Sequence, residues 1–314
     1  MCRLNCNYSV MLSFRLFKLL VLVTSLHCTV TSRAPANSDV TYHTFTYLQK
    51  PVDALCGRPL LAVILVCSAV ANRERRDAIR SSWGAPEALR RLGLRVVYVL
   101  GRAEGHNDDF LVEARQHRDV VQADFVDSYS NLSIKSLVGL HWATDYAPCA
   151  RFVVKTDDDT FLNAHLLSRD LAGSAHRGFV MGYVIAGAQP VRAPAAKWYT
   201  PVSIYPADVY PTYVSGSAYV ISGDGIRRIL AAAARLPFFW IEDIYVTGML
   251  ARAAGLQLIV NGKMDGYRAM PDDCAVRHHI VLHRVSADDM YRLWTIVTAD
   301  LSSVNCFASQ QSLR

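Results

Sequence analysis

The most chemically loaded stretch of this 314-residue chain is Lys155-Thr156-Asp157-Asp158-Asp159-Thr160-Phe161. Three adjacent carboxylates repel one another unless a cation compensates, and hard divalent metals prefer oxygen ligands. The same residues could form a solvated turn in which one Asp caps the following helix. An Asp-x-Asp-x-Thr phosphatase motif is excluded, because Phe161 stands where its Thr is required. A second acidic pair, Glu242-Asp243, opens an apolar segment. Its plain role there is to cap a helix and meet the helix dipole. His278, His279 and His283 cluster near the C-terminus, and each taken singly is more often structural than a metal ligand. Arg73, Arg76 and Arg80 share one helix face at i, i+3 and i+7, suited to a pyrophosphate or simply to water. No Cys or His spacing resembles a zinc site.

The elements that must position these groups follow from periodicity. Residues 60–69 form a continuous apolar run, the pattern of a strand buried on both faces. A helix is predicted over 75–83, a strand over 95–100, a helix over 109–116 and a strand over 119–123. A helix over 131–146 leads into a strand at 151–156, and a helix at 163–171 follows. Such alternation predicts a parallel, doubly wound sheet. The acid triplet then falls at the carboxyl edge, where open α/β sheets bind ligands. Beyond it come a strand at 178–184 and a long loop at 186–211 rich in Pro, Tyr and Trp. Loops of that length in compact domains are usually functional or mobile. A strand at 213–222, helices at 225–235 and 243–254, strands at 256–260 and 276–283 and a closing helix at 286–299 complete the reading, with Gly255 as a C-cap.

The net charge of +6 is spread along the chain, and its densest group, Arg73 to Arg80, is interrupted by Glu74 and Asp77. No basic stripe of the kind nucleic-acid binding needs is present. At the N-terminus Arg3, Arg15 and Lys18 precede an uncharged run over 19–32. Counted from Met11, with Arg15 and Lys18 snorkelling to the headgroups, this run is long enough to span a bilayer. The basic flank predicts a cytosolic N-terminus and a lumenal remainder, with a cleaved signal peptide as the alternative. The expected organisation is a cytosolic tail at 1–10, a signal anchor at 11–32, a stem at 33–55 and a folded lumenal domain at 56–314. Cys67 lies within an apolar strand and is expected to be a buried thiol. Cys56, Cys149, Cys274 and Cys306 remain as disulfide candidates, with their pairing open. Asn131-Leu132-Ser133 is a glycosylation sequon, or its Asn is an unmodified helix cap.

Taken together, the segments resemble the β1,3-galactosyltransferase family. Arg76-Asp77-Ala78-Ile79-Arg80-Ser81-Ser82-Trp83-Gly84 is similar to its Arg-x-x-Ile-Arg-x-Thr-Trp-Gly element, and 124–135 to its Asp-Phe-x-Asp-Ser-Tyr-x-Asn-Leu-Thr-x-Lys stretch. Lys197-Trp198, Tyr205-Pro206, Ser215-Gly216-Ser217-Ala218-Tyr219-Val220, Glu242-Asp243-Ile244-Tyr245-Val246 and His283 to Met290 resemble later blocks in the same order. The resemblance implies a GT-A-like α/β fold with a single, mostly parallel sheet flanked by helices. It also implies a Mn²⁺-dependent UDP-sugar site, UDP-galactose as the favoured donor, and inversion at the transferred sugar. Asp159 and His283 would bind the metal, and Asp243 would act as base. Arg76, Arg80, Lys135, Asp157, Asp158 and Trp198 would contribute to the donor site. The partner would be a glycan acceptor on a glycoprotein or glycolipid, and the location a Golgi membrane with the catalytic domain lumenal. The nearest rival is a β1,3-N-acetylglucosaminyltransferase. A non-catalytic lumenal relative is disfavoured because Asp159, Asp243 and His283 are all present. Ala218 replaces the family's second Gly, Ser81 stands where many members have Glu, and Thr247 is inserted before Gly248.

Overall fold

The computed structural model describes residues 45–51, 55–57, 59–103, 108–265 and 272–299. All of them fall within the unit Tyr42–Arg314. The expected tail and anchor, most of the stem, and Cys306 lie outside the described residues.

In chain order the elements are β1 (Tyr47–Gln49), β2 (Ala62–Cys67), α1 (Arg73–Arg80), α2 (Pro86–Arg91), β3 (Leu94–Arg102), α3 (Asp108–His117) and β4 (Val120–Val126). Next are α4 (Leu132–Tyr146), β5 (Phe152–Asp157), β6 (Thr160–Leu162), α5 (Ala164–Ala172), β7 (Phe179–Ile185), β8 (Tyr213–Ser222) and α6 (Gly223–Ala233). A π-helical segment, Ile244–Leu250, continues as α7 (Ala251–Ala253). Then come β9 (Gln257–Val260), α8 (Asp273–Val276), β10 (Val281–His283) and α9 (Ala287–Thr298).

The main sheet has the order β1-β4-β3-β2-β5-β8-β7-β9, and β10 pairs separately with β6. Strands β4, β3, β2 and β5 are parallel, as alternation with helices requires. Strand β8, however, runs antiparallel to both β5 and β7, and β1 antiparallel to β4. The sheet is therefore mixed but mostly parallel, as expected: six of its eight strands run one way, and only β1 and β8 oppose them. A parallel return needs a crossover, whereas the loop between β7 and β8 contains no helix and returns at the edge it left. Residues 47–49, expected in the stem, form the edge strand β1. The late strand expected at 276–283 is shorter, because Asp272 caps α8 through the Cys274 and Ala275 N–H groups.

Strand β2 is buried along its whole length. Val63 and Leu65 face a core shared with α4, α6 and the π-helical segment, and Ala62, Ile64 and Val66 face one shared with α1, α2, α5 and α9. Each of these Val, Leu and Ile side chains contributes about 1.5–3 kcal/mol on burial, so the strand ends are firmly placed. A Cβ at Gly139 of α4 would come within 2.9 Å of Leu65 Cδ1 and 3.1 Å of Val99 Cγ2, so glycine lets that helix sit close to the sheet without displacing either side chain.

Cys56 and Cys149 form a disulfide. Cys274 is also disulfide-bonded, to a partner outside the described residues. Cys67 is a buried free thiol that burial pushes up to about 12. Among the described residues no helix is long and apolar enough to cross a membrane, and the expected anchor at 11–32 lies outside them.

Candidate active site

Parallel pairing of β5 with β2 sets Asp157 opposite Cys67 at the carboxyl edge. The chain turns through Asp158 and Asp159 into β6, where the register with β10 aligns His283 with Thr160. His283 Nε2 then lies 3.4 Å from Asp159 Oδ1. Arg284 follows in the left-handed region, φ 63°, and turns the chain so that the Val285 N–H donates to the Asp159 carbonyl at 2.8 Å. Ligand atoms of Asp157, Asp159 and His283 all lie within 4.8 Å of one another. Two carboxylates and an imidazole, half-buried together, suit a divalent ion such as Mn²⁺ that accepts both oxygen and nitrogen. Burial disfavours the Asp159 charge, but His283 and Arg75 outweigh it and hold the carboxyl below its ordinary range. Asp157 is displaced the other way, chiefly by burial, against the attraction of Lys155.

Lys155 joins this cluster to the second acidic pair. Its buried ammonium donates to Asp157 Oδ1 and to the Gly216 carbonyl, both at 2.8 Å, and lies 3.5 Å from Glu242 Oε2. Glu242 is itself buried and accepts from the Tyr219 hydroxyl at 2.6 Å. It is an internal counter-ion, not a helix cap. Asp243 accepts from the Gly216 N–H at 3.1 Å and the Ile244 N–H at 2.9 Å. A Cβ at Gly216 would stand 3.3 Å from Asp243 Oδ2, so glycine leaves this carboxylate its room. Burial and the Glu242 charge push Asp243 up to about 6.

Thr247 lies within the π-helical segment that follows. A π-bulge absorbs one extra residue without breaking the helix, and such bulges recur at functional sites. The Thr247 hydroxyl accepts from the Val214 N–H at 2.8 Å and lies 2.6 Å from the Asp243 carbonyl. It pins the backbone of Asp243 to β8.

Other expected site residues turn inward. Arg76 is fully buried, with Nε and Nη2 each 2.7 Å from a Glu113 oxygen, and it also bonds Ser68 Oγ and the Val70 carbonyl. Arg80 is bidentate to Asp119 at 2.9 Å and also meets Asp77 and Glu113. Both guanidiniums, expected at the donor, are engaged in holding α1 and the loop after β2. Lys135, also expected at the donor, is likewise buried, between Asp127 at 2.7 Å and the Ser68 carbonyl. Asp158 accepts from Ser68 Oγ and Asn72 Nδ2 at 2.8 Å and from Arg75 Nη1 at 3.1 Å, so its carboxylate supports that same loop.

Arg75, off the expected helix face, is the half-exposed cation beside the cluster, 4.0 Å from Asp159 Oδ2. Helical spacing selected the stripe that packs inward, and the neighbour one step round the helix faces the acids. Trp198 is 46% exposed, and its Nε1 donates to the Tyr129 hydroxyl at 2.9 Å. His278 is exposed, and His279 faces Asp265 at 3.4 Å; neither belongs to the cluster. In the sequon, Asn131 Nδ2 donates to the Val126 carbonyl, and Ser133 Oγ is buried against the Phe239 carbonyl.

The sequence profile of the galactosyltransferase family, Galactosyl_T, matches residues 74–261. The chain belongs to the galactosyltransferase family. The β-1,3-galactosyltransferase brn of Drosophila melanogaster is 34% identical over 221 residues, covering 68% of this chain and 67% of that one. β-1,3-Galactosyltransferase 1 of Homo sapiens is 31% identical over 267 residues, covering 83% of this chain and 80% of that one. Among solved structures, the galactosyltransferase LgtC in complex with donor and acceptor sugar analogs has a TM-score of 0.38 at 10% identity, covering 76% of this chain and 97% of that chain. The protein is a glycosyltransferase, and its family segment carries Asp157, Asp159 and Asp243, while His283 lies beyond it.

Proposed function

We propose that this glycosyltransferase transfers galactose from UDP-galactose to a glycan hydroxyl in β1,3 linkage with inversion, on a GT-A-type fold and with a divalent metal, Mn²⁺. The observation that carries the reading is the pairing of the Asp157–Asp159–His283 cluster with a raised carboxyl, Asp243, through Lys155 and the adjacent Glu242. The names of the relatives support the linkage and the sugar.

Asp157, Asp159 and His283 would hold the metal, which when bound neutralises charge on the diphosphate leaving group. Arg75 faces the same charge from α1. Asp243 takes the proton of the acceptor hydroxyl as that oxygen bonds to the anomeric carbon and the bond to UDP breaks. One base suffices for a single inverting displacement. The N-terminal pattern supports a type II Golgi enzyme, and the Cys56–Cys149 disulfide agrees with an oxidising lumen.

The test offers the full-length chain UDP-galactose and UDP-N-acetylglucosamine with Mn²⁺ and a panel of simple glycoside acceptors. Transfer from UDP-galactose is expected; transfer from UDP-N-acetylglucosamine alone would overturn the donor assignment. Asp159→Asn is expected to lose both transfer and Mn²⁺-dependent UDP binding. Asp243→Asn is expected to keep UDP binding and lose roughly 10² to 10⁴ in turnover. Turnover within a few-fold of wild type would place the base elsewhere.

A further inference from the structure

We propose that Trp198, Tyr129 and Trp240 form the platform on which the acceptor sugar ring lies. The inference rests on the reading of Asp243 as base, since the base must touch the acceptor hydroxyl and so sets where the acceptor can be.

Strand β4 ends at Val126 on the same carboxyl edge as Asp157, and Tyr129 follows directly. The loop between β7 and β8 reaches this point, where Trp198 Nε1 donates to the Tyr129 hydroxyl at 2.9 Å. Tyr129 in turn meets Trp240 edge to face, with centroids 6.2 Å apart and planes at 67°. Trp240 belongs to the short run Trp240-Ile241-Glu242-Asp243, so the platform is joined through the backbone to the base. Lys197 Nζ stands 4.2 Å from the centre of the Tyr129 ring.

Trp198 is 46% and Tyr129 49% exposed, although large aromatic side chains are ordinarily well buried. The only polar atom of the indole is already bonded within the protein, so what it offers to solvent is ring. A pyranose carries a patch of C–H groups on one face and hydroxyls around its edge. The indole face suits the C–H patch, and the Lys197 ammonium can donate to a hydroxyl at the rim. The chemistry selects a neutral hexose or N-acetylhexosamine. The Trp198 hydrogen bond runs to Tyr129, whereas Asp157, Asp159, His283 and Arg75 lie on β5, the turn between β5 and β6, β10 and α1.

The experiment uses saturation-transfer NMR on the full-length chain with UDP and Mn²⁺, with methyl β-galactoside, methyl β-mannoside and methyl β-N-acetylglucosaminide as probes. At least one probe is expected to receive saturation on its ring C–H protons in wild type and in the transfer-deficient Asp243→Asn, and to lose it in Trp198→Ala. Acceptor KM for that sugar should rise about tenfold or more in Trp198→Ala, with partial recovery in Trp198→Phe. UDP affinity by calorimetry and acceptor-free hydrolysis of the UDP-sugar should stay unchanged. A matching loss of UDP affinity would make Trp198 a donor contact and overturn the inference, as would an unchanged acceptor KM or the absence of probe binding to wild type. Binding lost in Trp198→Ala, with Asp243→Asn still fully active, would overturn only the assignment of the base.

Discussion

At Asp243, burial and the adjacent Glu242 charge raise the carboxyl to about 6, while the Ile244 and Gly216 N–H groups and Lys155 restrain the rise. A base acts only when unprotonated, so kcat/KM at saturating Mn²⁺ is expected to climb with pH through about 6 and then level. Glu242→Gln removes a repulsion that favours the protonated form, so the acid limb should move to lower pH; a limb that stays put would deny this coupling. Stability runs in the opposite sense. A carboxyl whose folded-state pKa is raised stabilises the fold most at low pH, and that contribution is lost as pH rises from the ordinary carboxylate range through about 6. Asp243→Asn should therefore melt no lower than wild type at neutral pH, and calorimetry then separates lost turnover from lost fold. Arg76 is the contrasting residue. Removing one partner of a buried ion pair costs about 3–5 kcal/mol, so a substitution there damages the fold before it can report on chemistry.

Among the elements, the π-helical segment does the most for the site. Its turns are wider than those of an α-helix, and within them the Thr247 hydroxyl meets Val214 and the Asp243 carbonyl. Thr247→Val keeps the shape but leaves the buried Val214 N–H without its acceptor, at about 1–3 kcal/mol. The expected result is a lower melting temperature and a lower kcat with UDP affinity retained, and Thr247→Ser should restore both. Loss of UDP affinity in place of kcat would show that this segment serves the donor. Strands β6 and β10 have a similar role at the metal cluster. Their register places His283 beside Asp159, and a slip of one residue would turn the imidazole to the other face.

On the scale of the whole molecule, the Cys56–Cys149 bridge spans 93 residues and lies at the amino edge of the sheet, opposite the acids. Such a closure is worth roughly 2–5 kcal/mol, so Cys149→Ala should lower the melting temperature while turnover per folded molecule stays constant. If turnover falls at unchanged stability, the two edges are coupled. Local pattern in the sequence determined where most strands and helices lie, because apolar periodicity and burial are the same physical demand seen twice. It also determined that three carboxylates follow a buried strand, and the spaced blocks carried the family. Strand direction was decided only by the tertiary structure, because it depends on the edge to which the 186–212 loop returns. So was the facing of α1: spacing shows that Arg76 and Arg80 share a stripe, not that Glu113 and Asp119 wait beneath it. Lys155 and Glu242 became counter-ions only through burial, which no local pattern reports for a charged residue. The meeting of Asp157, Asp159 and His283 likewise required the β6–β10 pairing, since residues far apart in sequence become ligands of one ion only when the fold brings them within its reach.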